Sequence, residues 1–229
     1  MANIDMDPIR LEPTAPSRRS ALPVTKKIRL NRPLAISCPF DEVLMRRRSA
    51  KRFSVTSLDD LSTWLYYLAS IQSVQSCDLN RQRRFVGSFG ALHPAHILLG
   101  RPDQTWFAYL PGEHSIGQLC VSADAAAELR TKAMQFYLAE SATIVALLCD
   151  ADLVATYYRN ASALILRDAG VLLGHAALVA SSVRIAFRIL GTSGADALER
   201  LICDLPFTPM SVGLALVGGE ADGSPSQST

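Results

Sequence analysis

One stretch constrains this chain more than any other. From Asn160 to Ile185 it runs Asn-Ala-Ser-Ala-Leu-Ile-Leu-Arg-Asp-Ala-Gly-Val-Leu-Leu-Gly-His-Ala-Ala-Leu-Val-Ala-Ser-Ser-Val-Arg-Ile, with no proline. Ala and Leu favour helix, so a helix of roughly 25 residues, about 37 Å long, is expected. Between Asp168 and Arg184 every face is apolar or small. Such a helix lies inside a domain or in lipid. The uncharged part is about 15 residues against the roughly 20 a membrane span needs. It also holds Gly170, Gly174, His175, Ser181 and Ser182. We therefore expect a central core helix and no membrane, with small residues where a backbone or ligand approaches.

The rest of the chain must cover that helix. Of its 229 residues, 49% are hydrophobic and 19% charged. That exceeds the needs of a monomer surface and points to a large interface with an identical subunit. The net charge is +2, so no overall field points to nucleic acid. Five scattered cysteines, odd in number and without a CxxC pair, argue against a disulfide framework or a zinc site. Cys149 and Cys203 lie in apolar runs and are expected to be buried. No apolar signal-like run opens the chain, so a cytoplasmic location is expected.

Residues 1–39 are rich in Pro, Ser and Arg and are expected to form a flexible basic arm, with a strand near Lys27–Leu34. Phe40–Arg48 fits a helix. Ser57 is a candidate N-cap, with Asp59 and Asp60 in the first turn of a helix reaching about Ile71. Ile71–Arg84 is polar and expected to be a loop. His96–Leu99 and Thr105–Leu110 suit strands, Ala123–Leu138 a helix, and Thr143–Leu148 a buried central strand. A short helix over Ala151–Tyr158 precedes the long one. A strand over Arg184–Leu190, a helix over Ala195–Cys203 and a strand over Pro209–Val217 follow, then a polar tail, disordered over 220–229. Strands and helices mix without a βαβ rhythm, so the class is α+β.

Two segments carry candidate chemistry. In Arg83-Arg-Phe-Val-Gly-Ser-Phe-Gly-Ala-Leu-His-Pro94, the small residues Gly87, Ser88, Gly90 and Ala91 let backbone N–H groups approach a planar or anionic ligand. The plain alternative is a solvent loop entering a strand. In Arg47-Arg48-Ser49-Ala50-Lys51-Arg52-Phe53, cations and a hydroxyl cluster as a phosphate site would require. Its plain alternative is dipole compensation at a helix end. His93 and His96 flank Pro94 in an extended segment and point to opposite faces, so no metal pair is expected.

Taken in order, these segments resemble the FMN-dependent nitroreductase superfamily. Arg48-Ser49-x-Lys51-x-Phe53 is similar to its Arg-Ser-x-Arg-x-Phe opening. Ser88-Phe-Gly90-Ala91-Leu92-His93-Pro94 resembles the Pro-Ser-x-Gly-Ala-Leu-Tyr/His-Pro segment of its SagB/McbC-type branch, flavin dehydrogenases that oxidise azolines to azoles in peptide natural products. Asp168-Ala169-Gly170 with Leu178-Val-Ala180 resembles the central helix, and Gly191 the glycine near flavin N5. The resemblance spans residues 40–219. It implies a sandwich fold with a central, mostly antiparallel sheet wrapped by helices around one long buried helix, dimeric, with FMN at the subunit interface. Arg48, Ser49 and Lys51 would hold the FMN phosphate or ring edge. Ser88, Gly90 and Ala91 would pack on the ring from either subunit, and Gly191 would present backbone to N5.

The resemblance has departures. Where the branch has a Lys-Tyr pair that handles the substrate proton, this chain has Thr156 and Tyr157; where it has Gln-Asn, Gly174 and His175; where it has glycines, Phe89 and Arg184; where it has proline, Gly87. No basic residue follows Arg200. Tyr157 is the remaining candidate acid or base, with Arg159 as a neighbour able to lower its pKa. His175 is either a core histidine bonded to a carbonyl or a residue facing the flavin. The function implied is an FMN-dependent oxidoreductase acting on a peptide azoline or a related bond, with a precursor peptide or a partner modification enzyme docked on the arm. The alternatives are a catalytically silent scaffold subunit and a nicotinamide-driven nitro- or enone reductase.

Overall fold

The structure, a computed structural model, describes residues 7–12, 19–33, 35–76, 78–135 and 139–221. The expectations for the remaining arm residues, for the helix end at Leu138 and for the tail from 222 lie outside them. The strands are β1 (Ile9–Arg10), β2 (Val24–Arg29), β3 (Ile71–Val74), β4 (Gln82–Arg84), β5 (Ala95–Gly100), β6 (Trp106–Leu110), β7 (Ser115–Leu119), β8 (Thr143–Asp150), β9 (Tyr158–Arg159), β10 (Ile185–Ile189) and β11 (Pro209–Gly219). The helices are α1 (Phe40–Arg46), α2 (Leu58–Ala69), α3 (Ala123–Met134), α4 (Ala151–Tyr157), α5 (Ser162–Ser182) and α6 (Ala195–Glu199).

Seven strands form one sheet in the order β10-β11-β8-β5-β6-β7-β2, and every pairing is antiparallel. The α+β class with an antiparallel central sheet therefore holds. β8 sits mid-sheet, and all eight of its residues are buried. A strand covered on both faces carries apolar residues at every position rather than alternating. Val145, Leu147 and Cys149 join the core shared with α2 and α5. Ile144, Ala146 and Leu148 join the core shared with α3 and α6.

α2 starts where Ser57 predicts. The Ser57 hydroxyl accepts from the Asp60 N–H at 3.0 Å and donates to the Asp60 carboxylate at 2.7 Å. Trp64, fully buried, donates its indole N–H to the Ala176 carbonyl of α5 at 3.1 Å and pins the two helices together.

Several expectations are revised. The long helix is not buried all round: Leu166, Val171, Gly170 and Gly174 are exposed, and a Cβ on either glycine would meet nothing within 4 Å. By length and composition alone α5 would pass for a membrane span, yet only half of its most apolar window is buried, so one face is left open. The basic arm is partly built into the fold: β2 forms the sheet edge against β7, and β1 pairs with β9. Residues 71–84 contain a hairpin, β3–β4, rather than a plain loop. β7 escaped notice because Gly117 interrupts its pattern; a Cβ there would lie 2.7 Å from Val24 of β2, so close strand approach demands glycine. Cys203 is exposed, whereas Cys149 is buried. On α1 only Val43 is buried, and Phe40 (66% exposed) and Met45 (88%) face outward.

Candidate functional site

Loop 87–93 leads from β4 into β5 along the first half of α5. Its backbone is strained: Gly90, Ala91 and His93 have φ of 62°, 57° and 45°. For Ala91 and His93 the left-handed region costs on the order of 1 kcal/mol or more each and persists only where neighbours over-determine it.

The neighbours do so. Asp168 of α5 accepts the Ser88 O–H at 2.5 Å and the Phe89 N–H at 3.0 Å, while the Ser88 oxygen accepts the His93 N–H at 2.9 Å. Arg81 donates to the Gly90 carbonyl at 2.7 Å. Arg19 of the arm donates to the carbonyls of His93 (2.8 Å) and Leu92. Ser88 is thus an anchor with both roles of its hydroxyl filled. Gly90 is confined by Tyr158 and Arg81, so the open glycine of the loop is Gly87, above which a Cβ would meet nothing within 4 Å. Burial raises the Asp168 pKa, and the Ser88 and Phe89 donors oppose that rise.

Tyr157 is buried. Its hydroxyl donates to the Asp78 carboxylate (2.8 and 2.9 Å to the two oxygens), accepts from Asn80 at 3.2 Å, and Arg81 lies over its ring at 5.0 Å. Burial chiefly raises its pKa, and the neighbouring Asp78 adds to the rise. A base needs the opposite shift; here the phenol locks the 78–81 turn beneath loop 87–93. The Nε2–H of His175 donates to the Tyr67 carbonyl at 2.9 Å, tying α5 to α2. Sequence reasoning missed the partners of this lock: Asp78, Asn80 and Arg81 lay in a stretch taken as an irregular loop, and Arg19 in a stretch taken as loose.

Arg48, Ser49 and Lys51 are exposed beyond α1, and among the described residues no carboxylate pairs with Arg48, Lys51 or Arg52. The segment is pinned to β10: the Ala50 N–H donates to the Phe187 carbonyl at 3.0 Å and Arg188 donates to the Ala50 carbonyl at 2.8 Å. Gly191, just beyond β10, is exposed with open space above it. The structure therefore brings Arg48, Ser49, Lys51 and Gly191 to one side. It does not bring Ser88, Gly90 and Ala91 to them. α1 is fixed to Ser181, whose hydroxyl donates to the Val43 carbonyl at 2.9 Å, whereas loop 87–93 is fixed to Asp168. Thirteen residues of helix, about 20 Å, separate the two anchors.

This architecture defines the chain as having a nitroreductase fold. A chain designated a nitroreductase from Ralstonia eutropha JMP134 superposes with a TM-score of 0.66 at 16% identity, covering 95% of this chain and 100% of that one. A chain of the E. coli microcin synthetase McbBCD complex, solved with truncated pro-MccB17 bound, superposes at 0.62 and 16% identity over 77% of this chain and 70% of that one. A chain designated a nitroreductase from a Desulfovibrio desulfuricans subspecies, solved with FMN, superposes at 0.50 and 15% identity over 83% and 94%. No protein-family profile and no curated protein sequence matches. At these identities the likeness establishes the fold.

Two predictions follow from the anchors and from the buried histidines. Asp168→Ala strands the Phe89 N–H and Ser88 O–H; it will destabilise the fold by about 1–3 kcal/mol and speed amide hydrogen exchange across 88–93 ahead of the rest of the sheet. Burial, with Arg84 and Arg19 nearby, holds the pKa of His93 and of His96 down to about 3 from the ordinary 6.5. The unfolded chain thus takes up protons near pH 6 that the folded chain refuses. Stability is complete above pH 6.5 and falls as pH drops toward 3, by about 1.4 kcal/mol per pH unit for each histidine. Urea midpoints at pH 7 and pH 5 measure the fall, and His96→Phe, which keeps the stacking on Phe207, will lessen it.

Proposed function

We propose that this chain is an FMN-dependent oxidoreductase of the SagB type, active as a homodimer in the cytoplasm, that oxidises an azoline ring in a peptide to an azole. One observation carries the reading. Loop 87–93 is fixed at Asp168 and α1, which leads into Arg48–Lys51, at Ser181, and the two anchors are equidistant from the Gly174–His175 peptide of α5. Two copies of α5, antiparallel about a two-fold axis at that level, set loop 87–93 of one protomer opposite Arg48–Lys51 and Gly191 of the other. The exposed Gly170, Val171 and Gly174 permit close backbone approach, and Phe40, Leu44 and Met45 extend the apolar surface to be covered.

The residues present fit FMN. Arg48 and Lys51, free of carboxylates, supply the charge a phosphate needs, with Ser49 as a further donor. Gly191 offers open backbone, and the partner's loop offers Gly87 and the rigid main chain through Ala91, held by Ser88 and Gly90. When bound, FMN supplies the hydride acceptor. The chain's own residues orient the ring, exclude water and fix the loop. Tyr157 and His175 act as positioning residues through Asp78 and Tyr67.

The open space above Gly191 favours an enzyme over a silent scaffold. Phe89 is partly exposed and borders a small space lined also by Leu92, Val154 and Tyr158. The fold shared with a chain of the microcin synthetase complex supports a peptide substrate and a partner modification enzyme. The exposed free thiols Cys120 and Cys203 suit a reducing compartment.

Purified protein is expected to show a flavin absorbance spectrum with one FMN per protomer, and Arg48→Ala with Lys51→Ala to weaken FMN binding at least tenfold. An azoline peptide will lose two hydrogens only with the flavin-loaded protein. Colourless protein that does not take up added FMN refutes the flavin. Rapid flavin reduction by NADH, without azoline turnover, turns the assignment to a nicotinamide-driven reductase.

A further inference from the structure

The β3–β4 hairpin and loop 87–93 line a half-open cavity of about 380 Å³. Ser73, Gln75 and Gln82 give it polar walls, Val74, Val86 and Ala91 apolar ones, and among the described residues no carboxylate lines it. Three arginines do, and they differ. Arg83 is exposed. Arg81 is neutralised by Asp78 at 3.1 Å and already donates to the Gly90 carbonyl. Arg84 stands deeper, between this cavity and the small space beside Ser88 and Asp168. Its side-chain hydrogen bonds go to one neutral acceptor, the Gln82 amide oxygen, at 2.7 and 3.2 Å. Among the described residues no ion pair reaches it, and the nearby Arg19 opposes its charge. His93, lining the same cavity, is neutral at ordinary pH.

A guanidinium withdrawn from water without a counter-charge is unfavourable. The fold bears that desolvation before any ligand arrives. An anion entering the cavity gains a charge-assisted, fork-shaped contact without dehydrating the arginine anew. The apolar walls discriminate between anions: they suit a carboxylate carried on an apolar body and offer a bare phosphate nothing.

We propose that the β3–β4 cavity is a binding pocket for an organic carboxylate, with Arg84 as its anion-recognising residue. The pocket belongs to one protomer and stands without the flavin. It also extends the proposed function, because Gly87 and Ala91 belong both to the cavity and to the flavin loop, which makes the bound acid the substrate. The carboxylate is that of a free acid or of a peptide C-terminus.

Calorimetric titration of the full-length protein tests this, with FMN content measured on every sample. Benzoate is expected to bind and benzamide and inorganic phosphate to bind at least tenfold more weakly. A short peptide ending in a free phenylalanine carboxylate, compared with its amide, tells the two sources apart; binding of either acid supports the pocket. Arg84→Gln should lower affinity at least tenfold with FMN content unchanged, Arg84→Lys should lower it less, and Arg101→Gln, on a distant turn, should not change it. Should Arg84→Gln fail to fold, the benzoate–benzamide comparison on the wild-type protein still decides. Equal binding of benzoate and benzamide, no binding of either acid, or loss of FMN together with benzoate in Arg84→Gln would overturn the proposal, the last by placing the flavin itself in the cavity. Benzoate binding to protein without FMN would leave the pocket standing and remove the flavin.

Discussion

The Asp168 carboxylate, on an otherwise small and apolar stretch of helix, fixes where loop 87–93 lies. It draws the Ser88 hydroxyl and the Phe89 N–H onto α5. That contact makes a strained turn at Gly90–His93 permanent. A loop with left-handed Ala91 and His93 would relax if it were free. Here Arg19, Arg81 and Asp168 hold it from three sides. Placing the turn's carbonyls against cations and its amides against a carboxylate leaves Gly87 and the main chain toward Ala91 as the accessible part. The rigidity belongs to the protomer; the function proposed for it needs a second protomer.

Much of the frame was legible. The unbroken run Thr143–Leu148 announced a strand covered on both faces, and β8 is that strand. Ser57 announced a helix start, and its hydroxyl caps α2. The long helix was legible as well, but its burial was overestimated. Hydropathy around the helix cannot distinguish a face covered by its own chain from one awaiting another chain. The hairpin β3–β4 and the strand β7 were hidden for a different reason. Their pairing is decided by neighbours distant in sequence, as with Gly117 against Val24, and not by a local period.

The site was legible in its residue types and not in its arrangement. The small residues after Arg84 and the cations before Phe53 pointed to one ligand, yet within a protomer they occupy opposite ends of α5. Tyr157 looked reactive because its chemistry is versatile, and His175 was open to a core role bonded to a carbonyl, the role it has, or to one facing a flavin. Their partners, Asp78, Asn80 and the Tyr67 carbonyl, could not be paired with them from spacing alone, and those partners turn both side chains into structural ties. In the sequence Arg84 was visible only as a residue at the start of the small-residue segment 83–94. Arg81 is set apart from it by the Asp78 carboxylate and Arg83 by exposure to solvent.

The flavin site proposed above requires α5 of one protomer to lie antiparallel against α5 of another at the level of Gly174. The most direct measurement is oxidative cross-linking of Gly174→Cys, with Cys38, Cys77, Cys120 and Cys203 replaced by serine. Two thiols facing each other across a two-fold axis fall within disulfide reach, which requires Cα atoms about 4.4–6.8 Å apart. Near-complete conversion to a covalent dimer is expected under mild oxidant, at concentrations where Gly112→Cys on the same background stays free of cross-links. A Gly174→Cys protein that forms no disulfide cross-link after oxidation while still sedimenting as a dimer would contradict it.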